Sequence, residues 1–201
     1  MLDRLRDWLT GDDKRENAAA LTLLIGAGLA LLASLVLSVE ALEIAKTPNI
    51  VLGCDLNSAV SCGGVARHWS AALVGFPNAF IGLGTLPVMV TIAVALLARV
   101  KFPRWFMISA QIGACLGLVF AAWMLYMSLF EIQLLCPWCL TTDVGMLLIF
   151  YGLTRHNILT GVISGGEAKK IVRKGYDTLI LASLIALITA VIVAKFGEQL
   201  L

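Results

Sequence analysis

Two cysteine pairs set what this chain can do chemically. Cys54 and Cys62 flank the seven residues Asp55-Leu-Asn-Ser-Ala-Val-Ser61, and Cys136-Pro137-Trp138-Cys139 opens an apolar segment. A thiolate attacks one sulfur of a disulfide and displaces the other, so two dithiol pairs within reach of each other can pass on two electrons at a time. Cys136 and Cys139 stand at i and i+3, one turn apart on one helix face. Pro137 suits the first helical turn, where its missing N–H is not needed. Cys136 then occupies the helix mouth, where free backbone N–H groups and the helix dipole favour a thiolate. Cys139 lies one turn deeper, where a lipid-soluble electron acceptor can reach it. Asn57, Ser58 and Gly63 permit turns, so Cys54 and Cys62 can close a disulfide, and a mobile loop can carry Cys62 to Cys136. One scheme uses all four: Cys54 exchanges with an external dithiol, Cys62 passes electrons to Cys136, and Cys139 delivers them. Static uses compete with it. A disulfide across Cys-x-x-Cys closes a very short loop and adds little entropic stabilisation, so it is a weak staple. Four thiolates also bind zinc, but the seven-residue spacing is atypical for that metal and no metal site is expected. Cys115 reads as a small buried hydrophobe.

The elements that must position these cysteines are membrane helices. The chain is 60% hydrophobic and 14% charged with mean hydropathy +0.92, whereas soluble domains average about 25% charged residues. This is the composition of an all-α integral membrane protein, and no basic cluster interleaved with aromatics suggests nucleic acid. Five spans are expected: Ala18–Val39, Ala79–Ala98, the stretch between Arg104 and Glu131, Leu134–Leu153 and Thr178–Ala194. Glu131 and Gln133 alone divide the third from the fourth, which predicts a tight hairpin. The division is a stub over 1–17, a membrane bundle over 18–157 with a loop at 45–78, a linker over 158–177, and a last helix over 178–201.

Orientation follows from lysine and arginine. Arg4, Arg6, Lys14, Arg15, Arg99, Lys101, Arg104, Arg155, Lys169, Lys170, Arg173 and Lys174 share one side; Lys46, Arg67 and Lys195 take the other. The N-terminus is therefore expected in the cytoplasm, and the C-terminus and both cysteine pairs outside the inner or plasma membrane, where disulfides persist. The apolar core of the first span exceeds the roughly 7–15 residues of a signal peptide, so it is expected to remain as an anchor. Met1–Glu16 reads as a partly amphipathic stub on the inner lipid surface. Gly161–Gly166 reads as a connector. Within the loop from Thr47 to Pro77, Val65–Val74 holds no breaker and predicts a short interfacial helix with Arg67, His68 and Trp69.

Taken together, Cys54-Asp-Leu-Asn-Ser-Ala-Val-Ser-Cys62, Gly75-Phe-Pro-Asn-Ala-Phe-Ile-Gly82 and Cys136-Pro-Trp-Cys-Leu-Thr-Thr142 resemble the vitamin K epoxide reductase family. The resemblance covers about residues 20–155. The extra fifth span, with no fused thioredoxin-like domain in the sequence, is similar to the stand-alone bacterial branch, actinobacterial members in particular. The resemblance implies a four-helix bundle around a quinone at the extracytoplasmic end. It implies that Cys54 meets the redox partner, Cys62 shuttles to Cys136, and Cys139 faces the quinone. It aligns Asn78 with the asparagine that hydrogen-bonds a quinone carbonyl; the plain alternative is a helix cap at the start of the second span. Phe76, Phe80, Trp123, Tyr126 and Trp138 can wall a flat ring or simply anchor at the interface. Two positions depart from the family pattern: Asp143 stands where vertebrate members have tyrosine, and His68 where many have serine or threonine.

Asp143 follows Cys139 by four and lies about one turn deeper. A carboxyl inside a span is expected to face the bundle interior or to be protonated there, either to relay protons or to hydrogen-bond a neighbouring helix through Thr141, Thr142 or Gln111. His68 can assist thiolate formation at Cys62 or Cys136, or merely sit at the interface beside Trp69. The expected activity is that of an oxidoreductase. It takes electrons from an extracytoplasmic thioredoxin-fold (Dsb-type) protein through both cysteine pairs to a membrane quinone, menaquinone, ubiquinone or a vitamin K type, driving disulfide formation. The alternatives are a vitamin K quinone or epoxide reductase, and a non-catalytic membrane scaffold or carrier with structural disulfides.

Overall fold

The computed structural model describes residues 11–163 and 166–200. The fold is all-helical, with no strand among the described residues: α1 Gly11–Lys46, α2 Cys62–Ala66, α3 Ala79–Leu97, α4 Arg104–Tyr126, α5 Pro137–Leu159, α6 Gly166–Lys174 and α7 Tyr176–Leu200. Four helical stretches are long and apolar enough to cross a membrane: Lys14–Lys46, Ala79–Leu97, Arg104–Ile132 and Tyr176–Gly197. The sequence led to five. The remaining one, α5, has 23 residues, ample length for a roughly 30 Å core. Its Thr141, Thr142, Asp143, Thr154, Arg155, His156 and Asn157 interrupt the apolar run that the other four have. It is also the helix wedged between α1 and α4, so it needs less apolar surface toward lipid.

Small residues let α1 and α5 approach closely. Ala19, Ala20, Leu23, Ala27 and Ala30 of α1 are fully buried with Ile149 and Leu153 of α5. Between membrane helices such small-residue seams supply packing where the hydrophobic effect does not. A Cβ at Gly145 would stand 2.7 Å from Gly26 O and 2.8 Å from Ala30 Cβ; one at Gly152 would stand 2.7 Å from Leu23 N. We predict that Gly145→Leu lowers stability by about 1–3 kcal/mol or more, as overpacking does, read as an earlier thermal unfolding transition in detergent. Gly28→Leu, at an exposed position with nothing within 4 Å of a Cβ, should leave that transition in place.

On its other faces α1 meets α3, and α4 packs on α5. Gln111 Nε2 donates to Thr154 Oγ1 at 2.9 Å and Asn157 Nδ2 donates to Gln111 Oε1 at 3.0 Å, fastening α4 to α5 far from the cysteines. Cys115 is exposed rather than buried, because it lies on the outer face of α4 with Ile112, Leu116 and Val119. The predicted hairpin after α4 is made by a π-helical turn, Met127–Ile132, and by Gln133 in the left-handed region at φ 57°. The predicted helix at Val65–Val74 is corrected: α2 starts at Cys62 and stops at Ala66, and a separate 3-10 turn runs Trp69–Ala72. The break falls at His68, whose backbone is extended and whose ring caps the second turn.

The expected connector after α5 turns at Gly161 (φ 79°) and then contains α6, which sequence reading missed. Of the expected N-terminal stub, residues 1–10 lie outside the described residues and 11–16 belong to α1. α7 is almost wholly exposed and apolar, and is held at its two ends. At its start Arg155 Nη1 of α5 lies 3.0 Å from Asp177 Oδ2 and donates to Thr178 Oγ1 at 3.0 Å. Near its far end Phe196 is 2% exposed, packed on Ala59, Val60, Leu129 and Leu135.

Candidate active site

All four cysteines of the two pairs lie at one end of the bundle. Cys54, Cys62 and Cys136 are buried in one cluster with Leu52 and Val65; Cys139, Trp138, Leu134 and Leu37 pack against it. Cys54 and Cys62 form a disulfide, while Cys136 and Cys139 are separate thiols. The Cys-x-x-Cys pair is therefore not a fixed staple in this state. Cys136 caps α5, its Sγ accepting the N–H of Cys139 at 3.2 Å. That is the helix-mouth placement expected from Pro137.

The loop is built to present Cys62. Asp55, next to Cys54, accepts Leu52 N at 2.9 Å, Ser61 Oγ at 2.7 Å and Gly63 N at 2.9 Å. One carboxylate thus ties the residues on both sides of the disulfide. Arg67 reaches back to Ile50 O at 2.7 Å and Pro48 O at 3.1 Å, closing the loop's base. Asn57 Oδ1 accepts Ala59 N at 2.9 Å and Val60 N at 2.8 Å, the tight turn its residue type favours. The loop then pairs with the lead-in to α5: Leu135 N donates to Ala59 O at 2.8 Å and Ser61 N to Leu135 O at 3.0 Å. This single parallel bridge, Val60 with Leu135, sets Cys62 beside the segment that ends in Cys136. Phe196 of α7 covers it. Asp55, Arg67 and Phe196 were not read as site residues from the sequence, where Arg67 counted only toward orientation and the interfacial helix; the adjacency of Asp55 to Cys54 alone hinted at a part.

Burial works to raise the Asp55 carboxyl, and the bonds from Ser61, Leu52 and Gly63 with the nearby Arg67 charge outweigh it, holding the group below its ordinary value. A carboxyl depressed in this way stabilises the loop above its ordinary range and loses that contribution as pH falls through the lower folded value. We predict that the loop stays closed to well below neutral pH and opens only under more acid conditions than an ordinary carboxylate would require. Protease nicking within residues 48–62 followed against pH should show this, and Asp55→Asn should open the loop already at neutral pH.

The remaining residues singled out by sequence stand as follows. His68 Nδ1 lies 2.9 Å from Ser70 Oγ, and its ring is 5.5 Å from that of Trp69. Trp69 in turn lies 6.2 Å from Trp123 of α4. Asn78 does not cap α3: its side chain makes no cap bond. It donates to Ser70 O at 2.6 Å and accepts Leu73 N at 3.1 Å, because the chain folds back over the 3-10 turn. Its amide nitrogen is 4.0 Å from Met124 Sδ, so Asn78, Trp69 and Trp123 gather at the same end of α4. Phe80 is half-buried at the start of α3. Tyr126 is exposed, its ring tilted against that of Phe130 at 5.0 Å, and Lys195 Nζ lies over the Phe130 ring at 4.2 Å. Asp143 is half-buried on α5. The structural partners expected for it bond elsewhere: Thr141 to Pro137 O, Thr142 to Trp138 O, and Gln111 to Thr154 and Asn157. One further acidic residue reaches the disulfide: Glu40 of α1, with Oε1 3.2 Å from Cys54 Sγ.

Four helices of membrane-crossing length, a disulfide-bonded cysteine pair on a loop and a Cys-x-x-Cys at a helix mouth are the parts of a multi-pass membrane thiol–disulfide oxidoreductase. The model of the vitamin K epoxide reductase family matches residues 21–154, two thirds of the chain, and the protein belongs to that family. The match covers most of α1 and most of α5, with both cysteine pairs inside it, and leaves α6 and α7 outside. No curated protein matches the chain.

Proposed function

We propose that the protein oxidises the dithiol of an extracytoplasmic thioredoxin-fold (Dsb-type) partner and passes the electrons to a membrane quinone, thereby driving disulfide formation. In this reading α5 is a fifth span, the N-terminus is cytoplasmic, and the cysteine end of the bundle faces outward. The observation that carries it is the gathering of both pairs in one buried cluster, joined through the Val60–Leu135 bridge, one pair oxidised and the other reduced. That is what a two-electron relay holds just after its inner pair has been loaded.

The steps balance with the groups present. A partner thiolate attacks Cys54, the Cys54–Cys62 bond breaks, and Cys62 leaves as thiolate. The partner's second thiol resolves the mixed disulfide, so the partner is oxidised and the loop pair reduced. Cys62 then attacks Cys136 of an oxidised Cys136–Cys139 pair and releases Cys139. Cys54 attacks Cys62, which restores the loop disulfide and frees Cys136. The quinone, when bound, accepts the two electrons and two protons.

The residues fit such a group. The second amide hydrogen of Asn78 is turned toward Met124 Sδ at 4.0 Å, a weak contact it can give up to donate to a carbonyl, and Phe80, Tyr126 and the Trp69–Trp123 pair are the flat side chains this reading assigns to the ring. Asp143, one turn below Cys139 and without a hydrogen-bond partner among the described residues, is the group to hold and yield a proton. We predict that Asp143→Asn slows quinone reduction about 10²-fold, the scale of general acid–base catalysis, and leaves the unfolding temperature unchanged. A wild-type rate and an unaltered pH profile would remove Asp143 from proton transfer. The whole reading is tested by dithiol-driven quinone reduction with purified protein in detergent, over a panel of menaquinone, ubiquinone and vitamin K quinone and epoxide. Turnover identifies the acceptor by preference; a folded protein inert toward all of them would overturn the reading.

A further inference from the structure

Glu40 stands near the C-terminal end of α1. Its Oε1 is 3.2 Å from Cys54 Sγ, and one carboxyl oxygen and the sulfurs of Cys54 and Cys62 all lie within 4.8 Å of one another. Its Oε2 is buried with no hydrogen-bond partner among the described residues. A carboxyl kept only for structure would spend both oxygens on donors, as Asp55 does nearby, because an unsatisfied buried polar atom is destabilising. The groups that act on Glu40 electrostatically are Glu43 on its own helix and Asp55 on the loop, and from α5 Cys139 feels its charge. None of these is a cation, and the Arg67 charge acts on Asp55 while its guanidinium bonds Pro48 O and Ile50 O. With Cys54 in a disulfide, a proton shared between its sulfur and Glu40 can come only from the carboxyl.

We propose that Glu40 is the catalytic acid–base for Cys54, giving a proton to this sulfur when it leaves and taking the proton back when it attacks. The proposal rests on the relay described above and assigns a proton carrier to its outer pair. When the partner's second thiolate attacks the mixed disulfide, the partner–Cys54 bond breaks, and the departing Cys54 sulfur takes the proton of the Glu40 carboxyl. The partner's own thiol protons go to water. Later Cys54 must attack Cys62 to release Cys136. The Glu40 carboxylate, in contact with the Cys54 thiol, then accepts its proton as the new Cys54–Cys62 bond forms, and one cycle returns Glu40 to its starting state. The same contact sorts the two thiols of the reduced pair: a carboxylate beside Cys54 disfavours a thiolate there and leaves Cys62 to be the one that attacks inward.

The test reads the outer pair alone and needs no quinone. Full-length protein in detergent is reduced with dithiothreitol, quenched with an alkylating reagent, and the loss of the Cys54–Cys62 disulfide is followed by peptide mass from pH 5 to 9. Glu40→Gln should slow reduction about tenfold at the acid end. That is less than the usual acid–base contribution, because a thiolate is already a fair leaving group. The deficit should shrink or reverse at the alkaline end, where an ionised Glu40 no longer donates and repels the incoming thiolate. Glu40→Asp should recover part of the rate. A ratio of wild-type to Glu40→Gln rates that is flat across pH, with equal unfolding temperatures, would overturn the proposal. Wild-type protein whose loop pair is reduced normally but which passes nothing to quinone would instead count against the relay and leave the role of Glu40 standing.

Discussion

Cys139→Ser is expected to abolish dithiol-driven quinone reduction while leaving the Cys54–Cys62 disulfide formed and the fold intact. Cys139 sits one turn into α5 with its backbone N–H on Cys136 Sγ. Without it Cys136 cannot regenerate a disulfide, and nothing oxidised remains inside for Cys62 to attack. The loss should be complete to background, because a serine hydroxyl forms no S–S bond and no other cysteine lies in the cluster. Cys115, exposed on the outer face of α4, cannot substitute. The loop pair should still exchange with a small dithiol at the wild-type rate, which separates a broken relay from a misfolded protein. Residual turnover above background in Cys139→Ser would mean that electrons leave by another route.

The second large effect lies far from the cysteines. Arg155 and Asp177 form an ion pair at 3.0 Å with both side chains 16% exposed, and Thr178 and Tyr151 bond to the same guanidinium nitrogen. This contact pins the start of α7 to α5. Arg155→Leu leaves the Asp177 carboxylate buried without its counter-charge, a loss on the order of 3–5 kcal/mol, and should release α7 from the bundle. The double variant Arg155→Leu with Asp177→Leu should recover much of that stability. Thermal unfolding of the three proteins in detergent checks both statements. Because the other end of α7 seals the Val60–Leu135 bridge through Phe196, the single variant should also slow transfer between the two cysteine pairs.

Much of this arrangement was legible in the sequence where the signal is local. The three-residue spacing and Pro137 placed Cys136 at a helix mouth, and the uncharged runs gave the long helices. What was missed depends on contacts between distant segments. Nothing in the pattern around Glu40 tells that the end of α1 folds against Cys54, or that Phe196 covers the segment before Cys136. His68 looked like a position inside a helix because Val65–Val74 lacks glycine and proline; its ring bonds to Ser70 instead and splits that helix in two. Asn78 was read as a cap or a ligand, and its side chain ties down the preceding turn, which only the backfolded loop could reveal. Asp143 was expected to find a threonine or Gln111, but the threonines bond their own helix backbone and Gln111 lies closer to Thr154 and Asn157. The fourth of the expected spans stands out least because α5 is packed between α1 and α4 and can carry more polar residues than a lipid-facing helix.

The central claim is that Cys62 hands electrons to Cys136. It is tested most directly in the double variant Cys54→Ser, Cys139→Ser, which removes the outer partner of one pair and the inner partner of the other. Under mild oxidation the account predicts one new disulfide, Cys62–Cys136, seen as a single crosslinked peptide in mass spectra of the purified protein. Free, alkylatable Cys62 and Cys136 under the same conditions, in a protein that unfolds at the wild-type temperature, would contradict it.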